Sequence, residues 1–153
     1  MTARRRARAA GFYRLLARPF APSELIGAIQ RLLERPPRVL VVDDDRDSAD
    51  SLGILLARRG FEVERAYDAT RALEIAADFR PDAVLTDLGL HDAGEGPALA
   101  RALRRSGASA PIVIAVSGRG PDTLGTDAVL FDGFARKPVD LDPLLPLLRR
   151  KRP

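Results

Sequence analysis

The sequence predicts an α/β fold, a doubly wound sheet of five parallel strands with helices on both faces. From Arg38 onward, short apolar runs alternate with longer stretches in which apolar residues recur at helical spacing. This alternation is typical of βα units around a parallel sheet. At 153 residues, the chain has room for one well-buried domain and a short appendage.

The first three strands are predicted at 38–43, 61–65 and 82–87. The helix between the first two extends from Asp47 to Arg59. Gly60 ends it, because glycine readily adopts the backbone conformation that terminates helices. Asp68 is expected to cap the next helix, which Arg80-Pro81 breaks.

The last two strands are predicted at 111–117 and 131–136. Pro97 is expected to be the first residue of the helix before the fourth strand, where its missing N–H costs nothing. The stretch from Gly118 to Val129 is rich in glycine and proline, so its helix should be short or irregular. Asp142-Pro143 opens a final helix that Pro146 disturbs in its first turn.

The composition excludes several kinds of chemistry. There is no cysteine, which removes disulfides, zinc–thiolate sites and thiol nucleophiles and fits a reducing cytoplasm. A metal site is therefore expected to use oxygen ligands. No apolar run reaches the roughly 18 residues of a membrane span, and no secretory signal follows the Arg-rich start. We therefore expect a cytoplasmic protein without a membrane segment.

The net charge of +4 and the pI near 10.3 raise nucleic acid as a partner, because clustered cations bind phosphates. Eight of the 25 basic residues lie at the two chain ends, within residues 4–8 and 149–152, and the others are spread along helix-like faces. Aromatic residues make up only 5%. No helix-turn-helix spacing or stacking surface is evident. We expect solvated surface charge and no DNA-binding domain.

Polar residues finish or follow four of the five predicted strands: Asp43, Asp44 and Asp45, then Asp87, then Ser117, and finally Lys137. Ligands of an open parallel sheet gather outside the carboxyl ends of its strands, so these side chains should converge on one rim. Neighbouring carboxylates repel unless a cation offsets them, and an all-oxygen cluster suits Mg²⁺. Such a site fits phosphoryl transfer onto a carboxylate, assisted by a lysine charge and a hydroxyl donor.

Each of these residues has an ordinary structural interpretation when taken singly. An aspartate run after a strand is commonly a turn or a helix cap, which we expect for Asp45, Asp47 and Asp50. A lone serine or lysine after a strand is usually a surface residue. The functional interpretation depends on the ordered set at successive strand ends.

Four short motifs resemble, in order, those of receiver domains in two-component signalling, above all the receivers attached to hybrid histidine kinases. They are Val41-Val-Asp-Asp-Asp45, Leu85-Thr-Asp-Leu-Gly-Leu90, Ala115-Val-Ser-Gly118 and Arg136-Lys-Pro-Val-Asp140. The resemblance covers Pro37 to roughly Arg150. It implies the flavodoxin-like, or CheY-like, receiver fold.

The resemblance implies a metal and phosphoacceptor site. Asp87 corresponds to the phosphoacceptor. Asp43 and Asp44 correspond to the acidic pair that binds Mg²⁺ with Asp87, and the backbone carbonyl of Gly89 to a further metal ligand. Lys137 corresponds to the lysine that contacts the phosphoryl group.

The resemblance also implies a switch and a set of partners. Ser117 corresponds to the hydroxyl residue that follows the phosphate, Phe134 to the aromatic switch residue, and Pro138 to a cis-proline. The implied partner is a sensor or hybrid histidine kinase or a histidine phosphotransfer protein, and a homodimer is compatible with it. The implied role is a signalling domain with phosphotransfer and autodephosphorylation, not an enzyme with a substrate of its own. His91, the only histidine, is expected to be a solvated loop residue.

The segment before Arg38 resembles the last strand and helix of another receiver. Arg18-Pro19-Phe20 aligns with Lys137-Pro138-Val139, and an apolar stripe follows at Leu25, Ile29, Leu32 and Leu33. No acidic pair or phosphoacceptor precedes it. We therefore predict that residues 1–33 are a partial receiver, from a truncated gene or a start site inside a longer protein, that 34–37 form a linker, and that 38–150 form the receiver.

Two alternatives remain open. A haloacid-dehalogenase-type phosphatase would use Asp43 as nucleophile with Asp45, Ser117 and Lys137, but it leaves Asp87 unused and needs a further acidic pair. A receiver fold that docks without phosphorylation is the second. The complete acidic set and Lys137 argue against it, whereas the irregular segment after Ser117 favours it. That segment and Pro146 also make the output surface of the fourth helix, fifth strand and fifth helix unusual.

Overall fold

The computed structural model describes residues 21–92 and 94–149, and the chain divides into two compact units at the Arg35–Pro36 boundary. In the first unit, helix α1 spans Pro22–Leu33. Glu24 stabilises its start by accepting a hydrogen bond from the backbone N–H of Ala21 at 3.0 Å. The predicted helix is thus observed, whereas the strand predicted before it lies outside the described residues.

The second unit contains a sheet of five parallel strands in the order β2-β1-β3-β4-β5. The strands are β1 Arg38–Val42, β2 Glu62–Ala66, β3 Ala83–Asp87, β4 Ile112–Ser117 and β5 Gly133–Arg136. From β1 the chain passes to one side to form β2 and then to the other side to form β3. The sheet is therefore doubly wound as predicted, with its switch point between β1 and β3, where such sheets bind ligands.

Three regular helices connect the first four strands: α2 Arg46–Arg58, α3 Ala69–Phe79 and α4 Glu95–Arg104. Asp45 caps α2, and Asp68 caps α3 by accepting a hydrogen bond from the backbone N–H of Arg71 at 2.7 Å. These carboxylates satisfy N–H groups that have no partner within the helix. Both caps match the interpretation from sequence.

The side chains of the strands fill two cores because successive residues point to opposite faces of a sheet. On one face, Val39 and Val41 pack with residues of α2 and of the C-terminal segment, among them Leu56 and Leu148. On the other face, Leu40 and Val42 pack with residues of α3 and α4. These four side chains of β1 are at most 1% exposed, so the sheet is covered on both faces.

Three elements differ from the sequence prediction or refine it. Helix α4 begins at Glu95, so Pro97 is the third helical residue and not the first. It is tolerated there because the N–H groups of the first turn have no partner within the helix. The prediction of an irregular fourth helix is confirmed, since residues Pro121–Leu130 form a 3₁₀ segment interrupted at Gly125, whose φ is +52°.

The last helix, α5, is limited to Leu145–Leu148. The prediction that it opens at Asp142-Pro143 is therefore wrong, although a disturbed helix was expected. Leu141, Leu144 and Leu148 are nonetheless buried, so the segment contributes apolar contacts in spite of its short helix. In the part of the chain that the structure describes, no helix is both long and apolar enough to cross a membrane.

Candidate functional site

Three carboxylates meet at the switch point of the sheet. Asp43 directly follows β1, Asp87 ends β3, and the register pairs Val42 with Thr86, so the two aspartates leave the sheet at the same level. Together with Asp44 they offer carboxylate oxygens that lie within 4.8 Å of one another. The predicted convergence of Asp43, Asp44 and Asp87 is therefore observed.

Lys137 supplies the positive charge at this rim. It follows β5, and its backbone N–H donates to the carbonyl of Ser117 at 2.9 Å, which extends the pairing of β4 with β5. The ammonium Nζ donates to Asp43 Oδ2 at 2.9 Å and lies 3.5 Å from Asp87 Oδ2. The Lys137–Pro138 peptide bond is cis, as predicted.

The loop after β1 holds Asp43 in place. Its backbone N–H donates to the carbonyl of Ala66 at 3.1 Å, and its Oδ1 accepts from the N–H of Asp45 at 3.0 Å. Asp45 itself points to the start of α2, where it accepts from the Ser48 hydroxyl and from backbone N–H groups. These hydrogen bonds make Asp45 the N-terminal cap of α2. They also lower the pKa of Asp45, and the bond from the Ser48 hydroxyl has the largest effect.

The loop after β3 holds Asp87. Its Oδ1 accepts a hydrogen bond from the N–H of Gly89 at 3.0 Å. Helix α4 approaches the same backbone closely, since a Cβ on Gly96 would lie 3.3 Å from the carbonyl oxygen of Asp87. Gly96 thus lets the start of α4 pack directly on the strand end that carries Asp87.

Burial and nearby charges shift the pKa values of Asp43 and Lys137. Burial raises the pKa of Asp43, helped by the negative charge of Asp87, although the bonds from Lys137 and Asp45 oppose this. Burial also acts to lower the pKa of Lys137, but its hydrogen bond to Asp43 and the two negative charges outweigh it, so the pKa of Lys137 is raised. The lysine therefore stays charged.

The donor set fits a divalent cation. Three carboxylates face one lysine, and hard oxygen ligands that retain space for water suit Mg²⁺. Gly89 lies beside the Asp87 carboxylate, since a Cβ on it would be 3.5 Å from Asp87 Oδ2. Its carbonyl as a metal ligand stays a prediction.

Ser117 lies on the wall of a cleft of about 550 Å³ that opens above Asp87. It is only 8% exposed, and its Oγ accepts a hydrogen bond from the N–H of Arg119 at 3.0 Å. Phe134 is partly buried on β5, opposite Ala115 of β4 in the register. Its role as a switch stays a prediction.

Sequence reasoning missed several residues of the cleft. Arg119, Thr123 and Asp127 line it, but their segment has no helical periodicity, so nothing in the sequence indicated which side chains face Asp87. His91 is exposed as expected, yet its Nδ1 lies 3.7 Å from Asp44 Oδ2. The sequence indicated that His91 could lie near the site through its position four residues after Asp87.

The protein is thus a doubly wound α/β protein that gathers three carboxylates, a lysine and a buried hydroxyl at the switch-point rim. The family model "Response regulator receiver domain" matches residues 39–149. The chain therefore belongs to the receiver domains of response regulators, the signalling domains of two-component systems. This membership goes against the phosphatase alternative.

Individual relatives agree with this assignment. Response regulator MprA of Mycobacterium sp. (strain KMS) is 39% identical over 127 residues, covering 77% of this chain and 53% of that protein. The receiver domain structure from Methylobacillus flagellatus, described as CheY-like, has a TM-score of 0.67 at 33% identity, covering 74% of this chain and 99% of its own. Chemotaxis response regulator CheY4 of Vibrio cholerae has a TM-score of 0.64 at 27% identity, covering 75% and 98%. The chain thus spans about half the length of the curated relatives it matches.

Proposed function

We propose that this receiver domain accepts a phosphoryl group on Asp87 from a phosphohistidine, carried by a sensor or hybrid histidine kinase or by a histidine phosphotransfer protein. The observation that carries the proposal is the contact of Lys137 Nζ with both Asp43 and Asp87, at 2.9 and 3.5 Å. It gives the acceptor carboxylate a neighbouring cation that is also bound to Asp43 of the acidic pair.

In the proposed reaction, an oxygen of Asp87 attacks the phosphorus atom of the donor. A P–O bond forms, the P–N bond breaks, and the electron pair leaves with the imidazole of the donor. Asp87 becomes an acyl phosphate. The domain contributes position and charge, since such transfers require little acid–base chemistry from the protein.

Residues around Asp87 would stabilise the transferred group. The N–H of Gly89 holds the acceptor carboxylate through Oδ1, which leaves its other oxygen, Oδ2, beside Lys137. Lys137 and Ser117 would contact the phosphoryl oxygens, as a charge and as a hydroxyl donor. For this, Ser117 needs to turn its hydroxyl from the N–H of Arg119 toward Asp87.

We propose Mg²⁺ as the cofactor, bound by Asp43, Asp44, Asp87 and the carbonyl of Gly89. When bound, it neutralises the charge that accumulates on the phosphoryl oxygens. Asp43 and Asp44 would hold the ion, and their own repulsion would be relieved by it.

The signal is proposed to leave through the elements next to Ser117. If the Ser117 hydroxyl moves, Phe134 and the 3₁₀ segment Pro121–Leu130, which begins shortly after Ser117, would move with it. Arg101 of α4 binds Asp127 of this segment at 2.6 Å, and Arg104 donates to the carbonyl of Leu130 at 2.6 Å. These contacts are the ones that a shift of the segment would change.

The test is intact mass after incubation with Mg²⁺ and phosphoramidate, whose P–N bond resembles that of phosphohistidine. We expect one added phosphoryl group that hydroxylamine removes, as it does from acyl phosphates. Asp87→Asn and a chelator should each prevent the gain. Asp47→Asn, which removes an exposed carboxylate on α2, should leave it unchanged.

No gain of mass in folded protein, measured before hydrolysis could remove the label, would contradict the proposal. That result would favour the docking module that acts without phosphorylation. The alternative predicts that replacing Asp87 changes neither the oligomeric state nor the affinity for a partner.

A further inference from the structure

His91 lies at the edge of the acidic pocket. Its Nδ1 is 3.7 Å from Asp44 Oδ2, and the residue lines the same cleft as Asp87. The distance is too long for a hydrogen bond, and the His91 side chain is 64% exposed. The contact therefore brings an imidazole nitrogen beside a carboxylate oxygen without direct bonding between them.

The spacing of the two atoms is compatible with a shared metal ion. Ligand atoms about 2.1 Å from an octahedral ion lie about 3.0 Å apart at neighbouring positions and about 4.2 Å apart at opposite ones. The observed 3.7 Å falls between these values. Because His91 is exposed and lies in the loop after β3, it can make the shift of roughly 0.5–0.7 Å that these positions require.

An imidazole changes which ions a carboxylate pocket selects. Carboxylates and water suit Mg²⁺, whereas imidazole nitrogen suits Ni²⁺, Zn²⁺ and Cu²⁺. The chain has one histidine and no cysteine, so His91 is its only imidazole, and no thiolate competes for such an ion.

We propose that His91 is a specificity-determining residue of this pocket: through Nδ1 it raises the preference of the Asp43–Asp44–Asp87 cluster for a transition-metal dication such as Ni²⁺ over Mg²⁺. The inference rests on the proposed function, because it takes these three carboxylates to bind a divalent ion. A carboxylate cluster already binds Ni²⁺ more tightly than Mg²⁺. The decisive quantity is therefore the dependence of the affinity ratio on His91.

The experiment measures Ni²⁺ and Mg²⁺ affinities by calorimetry on the full chain without a histidine tag, for all variants at one pH of about 7.5. In His91→Asn the Ni²⁺/Mg²⁺ affinity ratio should fall about tenfold or more, since even an outer partner of a metal ligand contributes about 10- to 100-fold. Asp92→Asn is the matched control: it changes the charge of the neighbouring residue but removes no imidazole, so the ratio should stay.

A second readout follows the ligand atoms directly. The visible absorption of Co²⁺ bound to the wild type should differ from that of Co²⁺ bound to His91→Asn, because an oxygen replaces a nitrogen ligand. An unchanged ratio and an unchanged spectrum in His91→Asn, with Mg²⁺ still bound, would overturn the role of His91 alone. Absence of divalent binding by the folded wild type would overturn the proposed metal site and this inference together.

Discussion

Replacing Lys137 with methionine should destabilise the domain and at the same time strengthen its response to Mg²⁺. The ammonium lies 2.9 Å from Asp43 Oδ2 and 3.5 Å from Asp87 Oδ2, and these two residues are only 5% and 9% exposed. Methionine keeps the length of the side chain but removes the charge. Two buried carboxylates are then left facing each other.

The size of the effect follows from these distances. At an effective dielectric constant of about 20, the two attractions amount to about 6 and about 5 kcal/mol. Much of this is offset by the desolvation of the lysine, and breaking a buried pair costs about 3–5 kcal/mol in practice. Because the Lys137 side chain is 32% exposed, we expect the lower end, about 3 kcal/mol.

Urea unfolding measures this loss. With a slope of about 2 kcal/mol per molar urea, the midpoint should fall by about 1.5 M. Arg136→Met, which removes an exposed cation from the preceding position, should change stability by less than about 0.5 kcal/mol. Added Mg²⁺ should stabilise Lys137→Met more than the wild type, because the ion no longer competes with the ammonium.

The pH dependence of the variant has a defined sign. Burial raises the pKa of Asp43 in the wild type, and removal of the lysine should raise it further. Protonation of Asp43 relieves its repulsion with Asp87, so the loss should be largest above the folded-state pKa of Asp43 and should shrink as the pH falls through it. A loss below about 1 kcal/mol, or equal Mg²⁺ stabilisation of both proteins, would show that Lys137 does not balance the charge of these carboxylates.

Further predictions concern stability. Leu148→Ala should cost about 2–4 kcal/mol in urea unfolding because Leu148 is fully buried and alanine leaves a cavity; a loss below about 1 kcal/mol would show that the C-terminal segment is not part of the core. Hydrogen bonds, chiefly the one from the Ser48 hydroxyl, lower the pKa of Asp45. The ionised carboxylate of Asp45 therefore stabilises the folded state, and this contribution is complete above the unfolded-state pKa of about 3.9. The stability difference between the wild type and Asp45→Ala should therefore shrink as the pH falls through the lowered value, and a constant difference would contradict the cap. Gly125→Ala should destabilise by about 1 kcal/mol or more, because φ is +52° there and a Cβ is strained in that conformation; an unchanged urea midpoint would contradict this.

The architecture and the main residues of the rim could be predicted from the amino-acid sequence. Spacing along the chain distinguishes buried strands from amphipathic helices, and parallel connection brings every strand end to one edge. That Asp43 and Asp87 meet therefore follows from where each stands relative to its strand. The cap at Asp68 and the irregular segment before Phe131 are likewise local properties of the chain.

Contacts between segments that are distant in sequence could not be predicted in this way. The approach of His91 to Asp44 and the ion pair of Arg101 with Asp127 join segments whose mutual placement no periodicity encodes. The direction of the Asp43 pKa shift depends on burial and on charges that are distant in sequence. Local patterns fix which residues reach the rim, whereas non-local packing and desolvation determine what each of them contacts and how strongly it holds its proton.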